Sequence, residues 1–176
     1  AYLAATSQVP LPGAGPIMNP QTKRIAGALE GEQLKLLSRT GGGTSIQGMS
    51  GFAKAGHQWS GDQIWWTGGK LGDKLTLELP VPSDGDFEIY IGITKARDYG
   101  IVQLSLDDKP IGPVIDGFNI PDVIHSGPVT LGTHSMKAGN HKLVIEIKGS
   151  NPKAAPGNMF GLDYVYLAKK PVEISK

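Results

Sequence analysis

A chain of 176 residues carrying 17 basic and 16 acidic side chains, for a formal charge of +1, has the size of one domain. Its interspersed charge offers no basic surface of the kind that holds nucleic acid or an anionic membrane. It has no cysteine, so disulfides, thiolate metal sites and a cysteine nucleophile are excluded. The 25 glycines and 13 prolines suit a turn-rich β domain better than a helical one.

No run reaches the ~18 apolar residues of a membrane span. Residues 1–20 lack the basic start and apolar centre of a signal peptide. The chain opens on Ala rather than Met, so the expectation is a processed or excised module. Residues 1–21 are small, rich in Pro and Gly and without period, which reads as a linker or extended arm. A strand over residues 28–37 would align Glu30, Glu32, Leu34 and Leu36 on one face. Residues 40–51 hold so many glycines that one short strand, near 44–47, is expected there. Residues 59–67 contain every tryptophan: Trp59, Trp65 and Trp66. Residues 71–79 alternate, with Leu71, Leu75, Leu77 and Leu79 on one side.

After a turn at 80–85 comes the clearest strand, 87–94. Phe87, Ile89, Ile91 and Ile93 face one way and Glu88, Tyr90, Gly92 and Thr94 the other. Val102, Leu104 and Leu106 resume the alternation after the Arg97–Gly100 punctuation, so 87–106 is expected to be a β-meander. Residues 107–110 form a tight turn before a strand at 111–115. Further strands are expected at 129–136, 142–148 and 159–167, the last apolar on both faces with Asp163 in its middle. No helix of ordinary length is predicted. The expectation is an all-β domain over 22–170, an antiparallel β-sandwich of about eight or nine strands, with 171–176 as a tail.

In an antiparallel chain, successive loops alternate between two ends. The short polar turns 80–85, 107–110 and 137–140 then share one end. The longer loops 95–100, 116–127 and 149–158, with the segment 65–72, share the other. Recognition residues collect on loops carried by a rigid scaffold, so the elaborated end is the expected binding end. Aromatic rings there could stack on the apolar C–H face of a sugar while amides and carboxylates meet its hydroxyls. The candidate ligand residues are Trp59, Trp66, Arg97, Asp98, Tyr99, Phe118, Asn119 and Asn158. Each also has a plainer reading: buried core for the tryptophans, ordinary turn chemistry for the rest.

Glu30, Glu32 and Asp163 form a sharper set. Alternate strand residues lie about 6.6–6.8 Å apart, so two glutamates can converge on one hard cation, with Asp163 and backbone carbonyls completing its shell. The plainer reading leaves both glutamates on an exposed edge, with Asp163 accepting backbone hydrogen bonds. His57, His125, His134 and His141 lack the spacing of a zinc site. Ser45 fails the Gly-x-Ser-x-Gly pattern, and Gly69-Lys70-Leu71 is not a phosphate-binding loop. The paired carboxylates of a glycosidase would show only in the fold.

Glu30-Gly31-Glu32 resembles the opening Glu-x-Glu of carbohydrate-binding modules of families 6 and 35. Gly72-Asp73-Lys74-Leu75, the Val81–Phe87 turn, Lys137–Leu143 and Gly161-Leu162-Asp163-Tyr164-Val165 are similar to that group's later blocks, in the same order. The stretch from Trp66 to Leu106 also resembles accessory domains of secreted bacterial glycosidase-like proteins. The resemblance implies a galactose-binding-like jelly-roll sandwich. It implies a structural Ca²⁺ at Glu30, Glu32 and Asp163, and a ligand site in the variable loops at one end. Asn158 is the nearest match to an Asn typical before the last strand, and Phe118 takes the place of a commoner Trp.

The expected function is that of a non-catalytic module holding a partner catalytic domain, in the same or another chain, or a cell surface on a polysaccharide. The expected location is secreted, periplasmic or at the cell surface. Two alternatives stand beside it: an assembly domain making protein contacts through its long-loop end or N-terminal arm, and a small glycosidase.

Overall fold

The computed structural model describes residues 13–172. Residues 1–12 of the expected arm and 173–176 of the expected tail lie outside the described residues. Twelve strands form among them: β1 (Leu29–Glu30), β2 (Leu36–Arg39), β3 (Gly43–Gln47), β4 (Gln63–Thr67), β5 (Lys74–Val81), β6 (Gly85–Lys95), β7 (Ile101–Leu106), β8 (Lys109–Asp116), β9 (Ile124–His125), β10 (Val129–Met136), β11 (Gly139–Gly149) and β12 (Phe160–Lys169). One sheet runs β10-β6-β12-β4-β3, with β1 on β12 and β9 on β6; the other runs β2-β5-β11-β7-β8. The all-β antiparallel sandwich read from the pattern is therefore present, with more strands because short pieces such as β1 and β9 carry too few residues to show a period.

The core lies between the sheets. Phe87, Ile89, Ile91 and Ile93 of β6 and Leu162 and Val165 of β12 face Leu75, Leu77 and Leu79 of β5 and Leu143, Ile145 and Ile147 of β11. Full burial of such side chains contributes roughly 1.5–3 kcal/mol each.

Three sequence-based expectations need correction. The meander over 87–106 does not form, because β6 and β7 belong to different sheets. Both strands bury alternate residues, and alternation cannot distinguish a neighbour in the same sheet from one across the core. The crossing at 96–100 is pinned instead by Ala96 N–H donating to Gly117 O (2.9 Å) and Gly117 N–H to Gly100 O (3.0 Å). Leu71 is 71% exposed, because a turn closed by Asp73 N–H on Lys70 O delays β5 to Lys74. Residues 28–37 are not one strand: β1 ends at Glu30, a 3-10 turn covers Gly31–Gln33, and Leu36 faces outward while Leu34 is buried.

The arm does not hang free where it is described. Met18 pairs with Ile25, and the Asn19 side chain accepts from the amides of Gln21 and Thr22. Ile25 then packs with Tyr164, Tyr166 and Ala168 on the outer face of β12. Among the described residues no helix is long and apolar enough to cross a membrane.

Candidate functional site

Two places gather chemistry. The first is built on an irregularity in β12. Leu162 pairs with Ile93 and Tyr164 with Gly92, so Asp163 is the extra residue of a β-bulge. A bulge reverses the inward–outward alternation and re-aims the side chain at its centre. That is why Leu162 and Val165 enter the core while Tyr164 joins the outer cluster. The bulge also falls where β12 exchanges one neighbour for another: β4 pairs with Phe160–Leu162, and β1 with Tyr164 and Val165. The fully buried Asp163 occupies that gap.

Glu30 ends β1 beside it, and the 3-10 turn brings Glu32 in next. That turn needs glycine at 31, because a Cβ there would stand 2.1 Å from the Leu162 carbonyl oxygen. Glu30 and Glu32 are thus placed in the neighbourhood of Asp163, near enough for Glu32 to feel both charges, though not by the strand spacing read from the sequence.

Ser60, fully buried, ties the cluster together. Its N–H donates to Asp163 Oδ2 and its hydroxyl to Glu30 Oε1, both at 2.8 Å. Its carbonyl accepts from Arg24 Nη1, 2.8 Å away, and that guanidinium is 3.5 Å from Glu30 Oε1. His125 completes the ring: Gly127 N–H donates to Nδ1, so the proton is on Nε2, which donates to Asp163 Oδ2 at 2.8 Å.

One oxygen on each carboxylate, Glu30 Oε2, Glu32 Oε2 and Asp163 Oδ1, is buried with no hydrogen-bond partner. Burial, then the charges of Glu30, Asp163 and Asp62, push the Glu32 carboxyl up to about 7 despite an opposing backbone amide. Burial likewise raises Glu30. Among the described residues no group of three or more Asp, Glu, His or Cys side chains lies close enough to hold a metal ion. The carboxylates are gathered, each with an idle oxygen, but not drawn together.

The second place is at the elaborated end. Loops 95–100, 116–127 and 149–159 meet there: Ala96 bridges to Phe118 and Tyr99 to Met159, Ala155 N–H donates to Arg97 O, and Asn151 donates to Asp116. The short turns gather at the opposite end, where Asp84 accepts from Ala138 N–H and Asp107 from Lys142 N–H. A cavity of about 140 Å³ opens between the long loops and the β3–β4 edge; Gln47, Met49, Phe52, Trp65, Asp98 and Tyr99 line it, with Val123 and Met159 above. A larger groove of about 370 Å³ between Leu106–Ile111 and Thr133–Ser135 carries no Tyr, Trp or Phe.

Of the predicted ligand residues, Asp98 and Tyr99 line the cavity. Phe118, Asn119 and Asn158 are half-buried in the loops around it, Asn119 donating to Asp122 O, and Arg97 is exposed. Trp59 and Trp66 are corrections. Trp66 is 1% exposed, with its indole N–H on Gly41 O; Trp59 is 4% exposed, with its N–H on Thr94 Oγ1 and its ring edge-on to His125. Neither has a free face for a sugar. Adjacent strand residues point to opposite sides, and that puts Trp66 in the core and Trp65 at the cavity. Gln47, Gln63, Thr94, Ser60 and His125 carried no motif, and only the fold assembles them.

No protein-family model matches the chain, and no curated protein matches it by sequence. Solved structures do share its chain path. A xanthan lyase from Paenibacillus superimposes with a TM-score of 0.70 at 20% identity, over 86% of this chain and 14% of the lyase. A cycloisomaltooligosaccharide glucanotransferase of a Paenibacillus species, complexed with cycloisomaltoheptaose, gives 0.51 at 15% identity, over 83% of this chain and 19% of that one. Carbohydrate-binding modules of families 6 and 35 are also among the similar structures; one of family 35 from an environmental isolate gives 0.49 at 13% identity, covering 84% of this chain and 98% of that module. This chain thus spans less than a fifth of the length of either enzyme.

Proposed function

We propose that this domain is a non-catalytic carbohydrate-binding module that reads a polysaccharide with the cavity at its elaborated end. The observation that carries the proposal is the meeting of three long loops over one small cavity, where the rings of Trp65 and Tyr99 stand beside the amide of Gln47 and the carboxylate of Asp98. A ring face takes the C–H surface of a pyranose, and a few fixed polar groups set its orientation. Among the described residues Asp98 is the one carboxylate lining the cavity, whereas a glycosidase needs two flanking the scissile bond, so binding without turnover fits the site better. Such a module raises the local substrate concentration for a catalytic domain tethered to it, at a secreted, periplasmic or cell-surface location.

The acidic cluster suits a structural Ca²⁺. Glu30, Glu32 and Asp163 would hold it through the three oxygens that lack partners, and hard oxygen donors are what that ion prefers. When bound, the ion supplies the positive charge that offsets the mutual repulsion of buried carboxylates.

Calorimetric titration and affinity electrophoresis against a panel of polysaccharides, with Ca²⁺ present, test the function. Saturable binding to at least one glycan, lost in Trp65→Ala, is the expected result. Failure to bind any glycan would overturn it.

A further inference from the structure

The cavity's polar wall is oriented by a hydrogen-bond chain that runs from the interior outward. The indole N–H of Trp59 can only donate, and it donates to Thr94 Oγ1 at 2.9 Å. The Thr94 hydroxyl in turn donates to Gln63 Oε1. The Gln63 amide is fully buried, and its N–H₂ donates to Gln47 Oε1 at 2.8 Å and to Tyr99 Oη at 3.2 Å. Gly161 makes room for it, since a Cβ there would stand 2.2 Å from Gln63 Oε1.

The consequence lies at the end of the chain. Gln47 has its oxygen occupied and keeps its N–H₂ for the cavity. Tyr99 accepts from Gln63 and keeps its O–H. The indole N–H of Trp65 is buried, so it is the ring of that residue, not its N–H, that meets the cavity. Two donors, the Gln47 N–H₂ and the Tyr99 O–H, therefore face one small space. The remaining lining is apolar, from Met49, Phe52, Val123 and Met159, and Asp98 is the single acceptor side chain.

An anion does not suit that space, because among the described residues no cationic side chain lines it and Asp98 would repel a negative charge. A hydroxyl can accept from the donors but leaves the apolar lining unused. An acetamido group uses all three features: its carbonyl accepts from the donor wall, its methyl packs among the methionines and Phe52, and its N–H donates to Asp98. We infer that the cavity selects a saccharide bearing an N-acetyl group, the acetamido substituent seated inside and the sugar ring lying across the Trp65 rim. This rests on the carbohydrate-binding reading and names its ligand class.

The test uses three β-1,4 oligosaccharides that differ at one substituent: chitooligosaccharide (acetamido), chitosan oligomer (amine) and cello-oligosaccharide (hydroxyl), titrated with Ca²⁺ present. The expected result is that the acetylated ligand binds at least tenfold tighter than the other two. Tyr99→Phe, which deletes a donor while keeping the ring, and Gln47→Glu, which deletes one while keeping the acceptor for Gln63, should each cut that preference by up to about tenfold. Thermal unfolding of both variants confirms that they fold, and either one alone suffices. Equal or tighter binding of the cello- or chitosan oligomer would overturn the inference while leaving carbohydrate binding intact. No binding to these or to any glycan of the wider panel would overturn both.

Discussion

The Glu32 carboxyl gives a direct test of the acidic cluster. Its ordinary value of 4.5 is pushed up to about 7, first by burial and then by Glu30, Asp163 and Asp62. Between those two pH values the folded protein holds a proton that the unfolded chain has released, so stability falls as pH rises through that window and levels off above it. A rise of that size corresponds to roughly 3 kcal/mol. Glu32 is only half-buried, and solvent screening reduces this to about 1–2 kcal/mol.

In a chelator, wild-type protein should therefore lose about 1–2 kcal/mol between pH 5 and 8 relative to Glu32→Gln, or roughly 2–8 °C in Tm for a chain of this size. Thermal unfolding of both proteins across that range, with EGTA and then with excess Ca²⁺, reads the difference. Ca²⁺ should abolish the wild-type loss and add about 2.7 kcal/mol at a hundredfold excess over Kd, while Glu32→Gln gains much less. Parallel pH curves for the two chelated proteins would refute the reasoning, because they would mean that Glu32 is neither desolvated nor pressed against its neighbours.

A second pH effect belongs to the opposite end. Both ring nitrogens of His141 meet acceptors, Asp107 Oδ2 at 2.5 Å and Lys137 O at 2.6 Å. These hydrogen bonds, Asp107 first, raise its value above 6.5. The stabilisation is complete below the unfolded value and is lost as pH rises through the folded one, so the Tm gap between wild type and His141→Gln should be widest at pH 5–6 and narrow at alkaline pH. A constant gap would contradict this. The two adjacent tryptophans should separate stability from binding. Trp66→Ala should cost about 3–5 kcal/mol and leave glycan affinity nearly unchanged in the folded fraction, whereas Trp65→Ala should abolish affinity with a smaller drop in Tm, read by unfolding and titration of both variants.

The parts of this protein that were legible in its sequence are those set by local physics. Alternation over Phe87–Thr94, Leu75–Leu79 and Leu143–Ile147 announces half-buried strands because side chains on a pleated backbone must point to alternate sides. Turn chemistry and the alternation of ends then grouped the long loops correctly, and with them Asp98 and Tyr99. What alternation cannot encode is which buried face meets which, and that is where the reading of 87–106 as a meander failed.

The fine construction of both sites was decided only in three dimensions. One extra residue in β12 turns Asp163 toward Glu30, and the tight turn at Gly31 brings Glu32 beside it. Of the two neighbouring tryptophans, a two-residue period says that they part but not which one is covered; the packing of the second sheet over Trp66 decides that. The chain from Trp59 through Thr94 and Gln63 to Gln47 and Tyr99 joins three separate stretches of sequence, at 47, 59–63 and 94–99. Single-residue chemistry does not mark them, because a hydrogen-bond network acquires its direction only when its members are buried together and each donor has to find an acceptor.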